Sequence, residues 1–253
     1  YWISLIIVLI AAFFQKFFLG VNSVHNIPRD FYSIIFTLTL ATDPLSNTPT
    51  CNWVYWSLTC ELLFYILVYL LLVATKKKLQ VPLLIFSIFA LFIPFQNTGL
   101  FFFIDHWPAF GIGVSIFYFS DQSKYARPLS MLMIFINLSA LVIKFQHQMP
   151  YILVTVIGGI LILSSNYFTL KKTVISTYGR YSYSIYLIHV PVGVFILELF
   201  QLTLIQVNPY LNLIYDLVIL GFIIMFSSII FSKIEQPFIR LSKKLTKGKN
   251  FET

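Results

Sequence analysis

Long apolar runs broken by short polar segments dominate the chain. Eight runs have about the length that crosses a hydrocarbon layer of roughly 30 Å, if flanking aromatic residues extend the shorter ones. They are 1–19, 56–74, 81–94, 107–120, 130–144, 151–164, 181–200 and 211–231. A ninth run, 31–41, is shorter and predicts a re-entrant or interfacial segment. The pattern predicts an all-α polytopic transmembrane helix bundle, forming one integral membrane domain over 1–253.

Composition excludes a soluble fold. Of the residues, 58% are hydrophobic and 10% are charged, whereas an ordinary soluble domain is roughly 25% charged. The two cysteines, Cys51 and Cys60, are too few for a disulfide framework and are expected to be free thiols, with a bridge between them as the alternative. Because Tyr1 lies directly in an apolar run, the sequence is expected to lack its natural N-terminus.

The positions of the basic residues predict the topology. If the helices alternate, Lys16, Arg29 and Lys144 lie on one side and the rest of the 17 Lys and Arg on the other. The positive-inside rule makes the basic side cytoplasmic and places the C-terminus there, in the plasma or inner membrane. The net charge of +8 is then explained by topology and by anionic membrane lipids rather than by nucleic acid.

The C-terminal segment 234–253 is predicted to be a cytoplasmic basic amphipathic tail. Ile234, Phe238 and Leu241 recur at helical spacing, while the basic residues of 240–247 lie largely on another side. This pattern is typical of a helix lying on the inner leaflet. A disordered basic tail is the alternative.

Glu61 is the first ionisable group inside an apolar run, where such groups are costly and suggest function. Ser57, Glu61, Tyr65 and Tyr69 are spaced by four and therefore share one helix face. A carboxylate there can orient a sugar hydroxyl or move a proton. The equally weighted alternative is a Glu that hydrogen-bonds a neighbouring helix.

His189 is the second candidate. Ser182, Tyr186, His189 and Gly193 form one helical seam, and Pro191 deprives the Leu187 carbonyl of its usual N–H partner. A freed carbonyl beside a histidine suggests the wall of a polar cavity. The alternative is an interior histidine with satisfied hydrogen bonds.

The remaining candidates favour structural roles. Glu235, between Lys233 and Arg240, is expected to form an ion pair that fixes a helix end. His25, His106 and His147 are predicted to lie in outer loops without metal-ligand spacing, so no metal site is assigned.

Three segments carry a family resemblance. Residues 56–65, Trp-Ser-Leu-Thr-Cys-Glu-Leu-Leu-Phe-Tyr, resemble the Trp-Ser-Leu-x-x-Glu-x-x-Phe-Tyr signature of the acyltransferase family 3 membrane proteins. Residues 181–189, Tyr-Ser-Tyr-Ser-Ile-Tyr-Leu-Ile-His, resemble that family's late Ser-Tyr-x-x-Tyr-Leu-x-His segment, and 234–238 resemble its terminal Glu-x-Pro-Phe. The three occur in the family's order.

The resemblance implies a ten-helix bundle, about eight helices of which are present here. It implies transfer of an acyl group, usually acetyl, from cytoplasmic acyl-CoA to a hydroxyl of a cell-surface or lipid-linked polysaccharide. The family's proposed catalytic histidine and arginine motif precede the region matched here, so the chain is expected to be catalytically incomplete. The residues that match the family's motifs are Trp56, Ser57, Glu61, Phe64, Tyr65, Ser182, Tyr183, Tyr186, His189, Glu235 and Pro237.

The sequence therefore predicts a membrane O-acyltransferase. Glu61 and His189 are the candidate catalytic residues. The candidate substrate-binding residues are Trp56, Ser57, Tyr65, Ser182, Tyr183, Tyr186 and Arg180. Acyl-CoA is the expected co-substrate, with no bound cofactor, and Arg180 and the pair at 171–172 are candidates for its phosphates unless they serve topology alone. The alternatives are a transporter or flippase for a polysaccharide or its lipid-linked precursor, and a fragment with a structural role.

Overall fold

Most of the chain that the computed structural model describes is helical. The described residues are 1–18, 20, 26–75, 79–95, 98–99, 101–120, 126–168, 173–201 and 209–247, and none of them lies in a β-strand. The all-α prediction is therefore confirmed.

The helices follow the predicted apolar runs closely. They are α1 (Trp2–Phe18), α2 (Phe31–Leu38), α3 (Tyr55–Ala74), α4 (Gln80–Phe92), α5 (Phe102–Ser120), α6 (Ala126–Phe145), α7 (Met149–Ser165), α8 (Val174–Gly179), α9 (Ser182–Gln201), α10 (Pro209–Ile230) and α11 (Gln236–Lys247). Each of the eight predicted runs overlaps one of these helices, several of which begin a few residues before the run, and the shorter ninth run forms α2.

Three described helical stretches are long and apolar enough to cross a membrane by length and composition: Tyr55–Ala74, Ala126–Phe145 and the 35-residue stretch Tyr210–Lys244. Several of the other apolar helices have 17 residues or fewer. The chain is thus a membrane protein by its apolar helices, while the number of spans stays a prediction.

Helix α2 begins with a capping box. The Asp30 side chain accepts a hydrogen bond from the Ser33 N–H at 2.9 Å, and the Ser33 hydroxyl accepts one from the Asp30 N–H at 3.2 Å. These bonds satisfy two N–H groups that a helix start leaves without partners. The bonds from Ser33 also lower the pKa of Asp30, so the cap is a charged carboxylate.

The backbone contacts group into two compact units. The first unit comprises the described residues of Tyr1–Arg29, Thr50–Val54 and Lys171–Thr253, and the second those of Asp30–Pro49 and Tyr55–Leu170. The first unit therefore contains α1 and α8 to α11, and the second contains α2 to α7.

In the second unit, α4, α5 and α6 meet around a buried polar cluster. The Trp107 indole N–H donates to the Ser87 hydroxyl at 3.0 Å, and the Asn137 amide donates to the same oxygen at 3.2 Å. All three side chains are fully buried. A Cβ added to Gly111 would overlap the Asn137 amide, so glycine is what lets α5 and α6 approach here.

A buried ion pair also joins α5 to α6. Lys144 Nζ lies 2.7 Å from an Asp105 carboxylate oxygen, and both side chains are almost completely buried. Each charge is costly to bury alone, and the pairing offsets much of that cost. Lys144, in the last turn of α6, thus has its charge buried inside the second unit.

In the first unit, α10, a π-helical turn (Phe231–Glu235) and α11 form one continuous helix. Pro237 has no N–H for the Lys233 carbonyl, and its ring crowds that carbonyl, which favours a widened turn. The Gln236 N–H accordingly bonds to the Phe231 carbonyl, five residues back. The predicted tail segment is helical as far as Lys247, and residues 248–253 lie outside the described part.

Candidate active site

His189 is held in one tautomer by its own helix. Its Nδ1 lies 2.7 Å from the Tyr186 carbonyl oxygen and 3.3 Å from that of Ile185. A carbonyl oxygen can only accept, so Nδ1 must carry the hydrogen and a neutral ring keeps its lone pair on Nε2. Nε2 has no hydrogen-bond partner among the described residues.

Tyr186 connects this helix to the loop that precedes α3. Its hydroxyl donates to the Val54 carbonyl at 2.8 Å. The Val54 N–H in turn donates to the side-chain oxygen of buried Asn52 at 3.3 Å. The Val54 end of this loop is therefore held to Tyr186 of α9, two residues before Trp56 begins the first family-like segment.

The carbonyl that Pro191 frees is used by α1. The Ser4 hydroxyl, which is buried, donates to the Leu187 carbonyl at 2.7 Å. Pro191 therefore frees the Leu187 carbonyl as expected from the sequence. The freed carbonyl accepts a hydrogen bond from α1 rather than forming the wall of a polar cavity. Gly193 faces Ile219 and Ile223 of α10.

Glu235 meets α9 rather than its basic neighbours. The Ser184 hydroxyl donates to a Glu235 carboxylate oxygen at 2.7 Å, and no ion pair with Lys233 or Arg240 occurs in the described region. The ion pair expected from the sequence is therefore not formed among the described residues, and Glu235 is held by a hydrogen bond from α9 instead.

A cavity of about 250 Å³ lies beside this bond. Polar groups from α1, α9 and the π turn reach it, and aliphatic and aromatic side chains form most of its wall. Its lining includes Ser4, Tyr183, Ser184, Leu187, Ile234 and Glu235. The second and third family-like segments therefore meet at this cavity. It lies on a different face of α9 from the predicted seam, since its lining does not include Ser182, Tyr186 or His189.

Glu61 lies in the second unit, on the half-exposed face of α3. The Tyr65 hydroxyl donates to a Glu61 carboxylate oxygen at 2.6 Å, as the spacing of four allows. Tyr65 and Tyr69 are more than half exposed, and Ser57 is half-buried. The partner of Glu61 is therefore on its own helix. Glu61 and His189 belong to different units, and their joint cavity stays a prediction.

The prediction for His106 is wrong. It is expected from the sequence in an outer loop, but it lies near the start of α5, where its Nδ1 is 3.1 Å from the Tyr151 hydroxyl. Its ring packs against Trp56, with ring centroids 4.9 Å apart. Trp56, a candidate substrate-binding residue, thus has a histidine at one side.

The other candidates take simpler positions. Arg180 is exposed in the turn between α8 and α9, and Ser182 is exposed at the start of α9. His147 is exposed in the turn after α6, whereas His25 and residues 76–78, 124 and 171–172 lie outside the described residues. Cys51 and Cys60 are free and buried. The part of the chain that the structure describes contains no group of three side chains able to hold a metal ion.

Asn52 was missed from sequence. It lies in a loop, where no helical periodicity marks it, and it precedes the family-like segment by four residues. Its position became visible only through the Val54 bonds that place it next to α9.

The apolar helices and the hydrogen-bonded side chains between them define a class, that of polytopic membrane proteins with polar groups in the bundle. A family model described as an acyltransferase domain matches residues 1–233. The chain therefore belongs to acyltransferase family 3, and it is in general terms a membrane acyltransferase. No curated protein and no solved structure gives a significant match.

Proposed function

We propose that the protein transfers an acyl group, usually acetyl, from acyl-CoA on the cytoplasmic side to a hydroxyl of a cell-surface or lipid-linked polysaccharide. The observation that supports this most directly is the match of residues 1–233 to the acyltransferase family model. Within the described part of the chain, His189 is the proposed base. With Nδ1–H bonded to the Tyr186 carbonyl, Nε2 keeps a lone pair that can receive a proton from a hydroxyl.

In the proposed reaction, His189 takes a proton from the acceptor hydroxyl and returns it to the leaving thiolate. The acceptor oxygen bonds to the thioester carbonyl carbon as its proton passes to Nε2, and the carbon–sulfur bond then breaks. The imidazolium returns the proton to the departing thiolate. Glu61, which accepts a hydrogen bond from the Tyr65 hydroxyl, is proposed from its sequence pattern to orient a sugar hydroxyl. Trp56, Ser57 and Tyr65 form the proposed acceptor side.

The first turns of α9 suit the donor side. Arg180 is exposed just before Ser182, and Tyr183 lines the largely apolar cavity beside Glu235. Exposed Arg180 is proposed to pair with the phosphates of CoA, as arginine commonly does with phosphate groups. Arg180→Ala should raise the KM for acyl-CoA severalfold, whereas Arg240→Ala, on the exposed surface of α11, should not.

The function is tested in the organism that carries the gene. Deletion should remove a base-labile ester from the surface polysaccharide, seen as lost O-acyl signals in its proton NMR spectrum, and the complete gene should restore them. Polysaccharide that keeps its esters but no longer reaches the surface would instead favour the transporter.

A further inference from the structure

The Trp56 indole has one aromatic partner among the described residues, the ring of His106. The two ring centroids are 4.9 Å apart and the ring planes are inclined by 45°. The indole is half-buried, and its N–H has no hydrogen-bond partner in the part of the chain that the structure describes. Trp107 shows the contrast, because its indole is fully buried and donates to the Ser87 hydroxyl. The His106 ring is therefore the described contact that can fix the tilt of the Trp56 indole.

The His106 ring is itself held by two further helices. Its Nδ1 lies 3.1 Å from the Tyr151 hydroxyl of α7, and the Phe145 ring of α6 packs against it with centroids 5.5 Å apart. The Tyr151 and Phe145 rings also pack on each other, 4.4 Å apart. The residue before His106, Asp105, is tied to α6 by the buried ion pair with Lys144. His106 therefore presents to α3 a ring that α6 and α7 hold in place.

A histidine at this position does what a plain aromatic residue would not. The torsion that turns such a ring about its Cβ–Cγ bond has broad energy wells, so packing alone defines the tilt of the ring loosely. The hydrogen bond between His106 Nδ1 and the Tyr151 hydroxyl restrains that torsion, whichever of the two groups donates. Tyr151 therefore sets the tilt of the ring that Trp56 packs against.

Other contacts keep α3 on α5 without this pair. Further along α3, Phe64 packs against Phe110 and Trp107 of α5, with ring centroids 4.7 and 5.8 Å apart. All these residues belong to the second unit. Loss of the His106 ring should therefore leave the two helices together and change mainly the orientation of the Trp56 indole.

We propose that His106 is a positioning residue of the acceptor site, whose ring, restrained by Tyr151, holds the Trp56 indole in the orientation in which it contacts the acceptor sugar. That Trp56 contacts a sugar rests on the proposed function. A side chain that is already held in its bound orientation loses less conformational freedom when the ligand binds, so the acceptor binds more tightly.

The test compares variants of the complete protein in membranes, with surface polysaccharide freed of its esters by mild alkali as the acceptor probe. His106→Ala removes the ring. His106→Phe and Tyr151→Phe each keep an aromatic ring at both positions and remove the hydrogen bond between them. His147→Ala is the control, since this histidine is exposed in the turn after α6.

His106→Ala should raise the KM for the polysaccharide about twofold to tenfold, the cost of ordering one side chain on binding. The KM for acyl-CoA should stay unchanged, and His147→Ala should change neither constant. His106→Phe and Tyr151→Phe should show smaller and equal rises, and the double variant should show no further rise, because the same hydrogen bond is lost in each case.

An unchanged polysaccharide KM in folded His106→Ala, or an equal rise of both KM values, would overturn the assignment. Should His106→Ala fail to accumulate in membranes, unchanged polysaccharide KM values in both phenylalanine variants would overturn it equally. Additive rises in the double variant would contradict the restraint by Tyr151.

The order of Trp56 is measured apart from transfer. In a background where phenylalanine replaces the two tryptophans that are more than half exposed, Trp2 and Trp53, the signal lost on Trp56→Phe isolates the Trp56 fluorescence. Its anisotropy should fall in His106→Ala and stay unchanged in the control variant. Lower anisotropy in His106→Ala, with no acyl transfer by the wild-type protein, would count against the proposed function alone. Unchanged anisotropy, or a fall that leaves the polysaccharide KM as in the wild type, would count against the positioning role alone.

Discussion

The bond between Ser4 and the Leu187 carbonyl allows a quantitative test of how α1 and α9 are joined. Ser4→Ala would leave this buried carbonyl without a partner, because Pro191 offers no N–H in its place. The loss should cost about 1 to 2 kcal/mol. At about 2 to 4 °C per kcal/mol for a chain of this size, the melting temperature should fall by roughly 2 to 8 °C.

Pro191→Ala provides the matched background, since alanine at this position would restore the N–H for the Leu187 carbonyl. In that background, Ser4→Ala should cost at most about 0.5 kcal/mol, which gives a coupling of about 1 kcal/mol between the two sites. A pairwise coupling of this kind separates the hydrogen bond from any general effect of losing a hydroxyl.

The buried thiols supply the assay. Cys51 and Cys60 are 1% and 2% exposed, so a thiol-reactive fluorescent dye reports their exposure on heating in detergent at one fixed scan rate. Cys51 belongs to the same unit as Ser4, and a Cys60→Ala background makes it the reporter. Equal melting temperatures for wild type and Ser4→Ala, or the same loss with and without Pro191, would refute the reasoning.

Three further predictions use an activity measurement or the thiol assay with Cys60, which belongs to the second unit, as the reporter. Gly111→Ala should cost about 1 to 3 kcal/mol through overlap with the amide it faces, whereas Gly113→Ala, which meets open space, should be tolerated; equal melting temperatures would contradict this packing. Lys144→Met should cost about 3 to 5 kcal/mol by stranding the Asp105 carboxylate, and adding Asp105→Leu should restore most of the loss; no recovery in the double variant would contradict the pairing. Glu61→Gln should lose most glycan acylation at unchanged protein level, and normal acylation would make Glu61 a packing residue.

Sequence alone predicted the helices well because bilayer-length apolar runs have few competing structures. The start of α5 was misjudged for a physical reason. Asp105 and His106 look like loop residues in a hydropathy pattern, but Lys144 pairs with the first and the Tyr151 hydroxyl with the second. These partners come from α6 and α7, and no local sequence pattern predicts them.

In the candidate site, too, the local contacts were predictable from the sequence and the contacts between distant residues were not. Local consequences were predictable: the spacing of four brings the Tyr65 hydroxyl to Glu61, and Pro191 does free a carbonyl. The partners across the fold were not, since Ser4 is 183 residues from Leu187 in sequence. Asn52 lies in a loop whose placement depends on a bond from α9, so no periodicity marks it.

The central claim is tested most directly by acyl transfer in inside-out membrane vesicles that contain the complete protein. The vesicles are loaded with surface polysaccharide freed of its esters, acetyl-CoA labelled in its acetyl group is supplied outside, and label bound to the polysaccharide is counted before and after mild alkali. The account predicts base-labile label with wild type and almost none with His189→Gln at equal membrane abundance. Polysaccharide that stays unlabelled with the wild-type protein but crosses the membrane would contradict it.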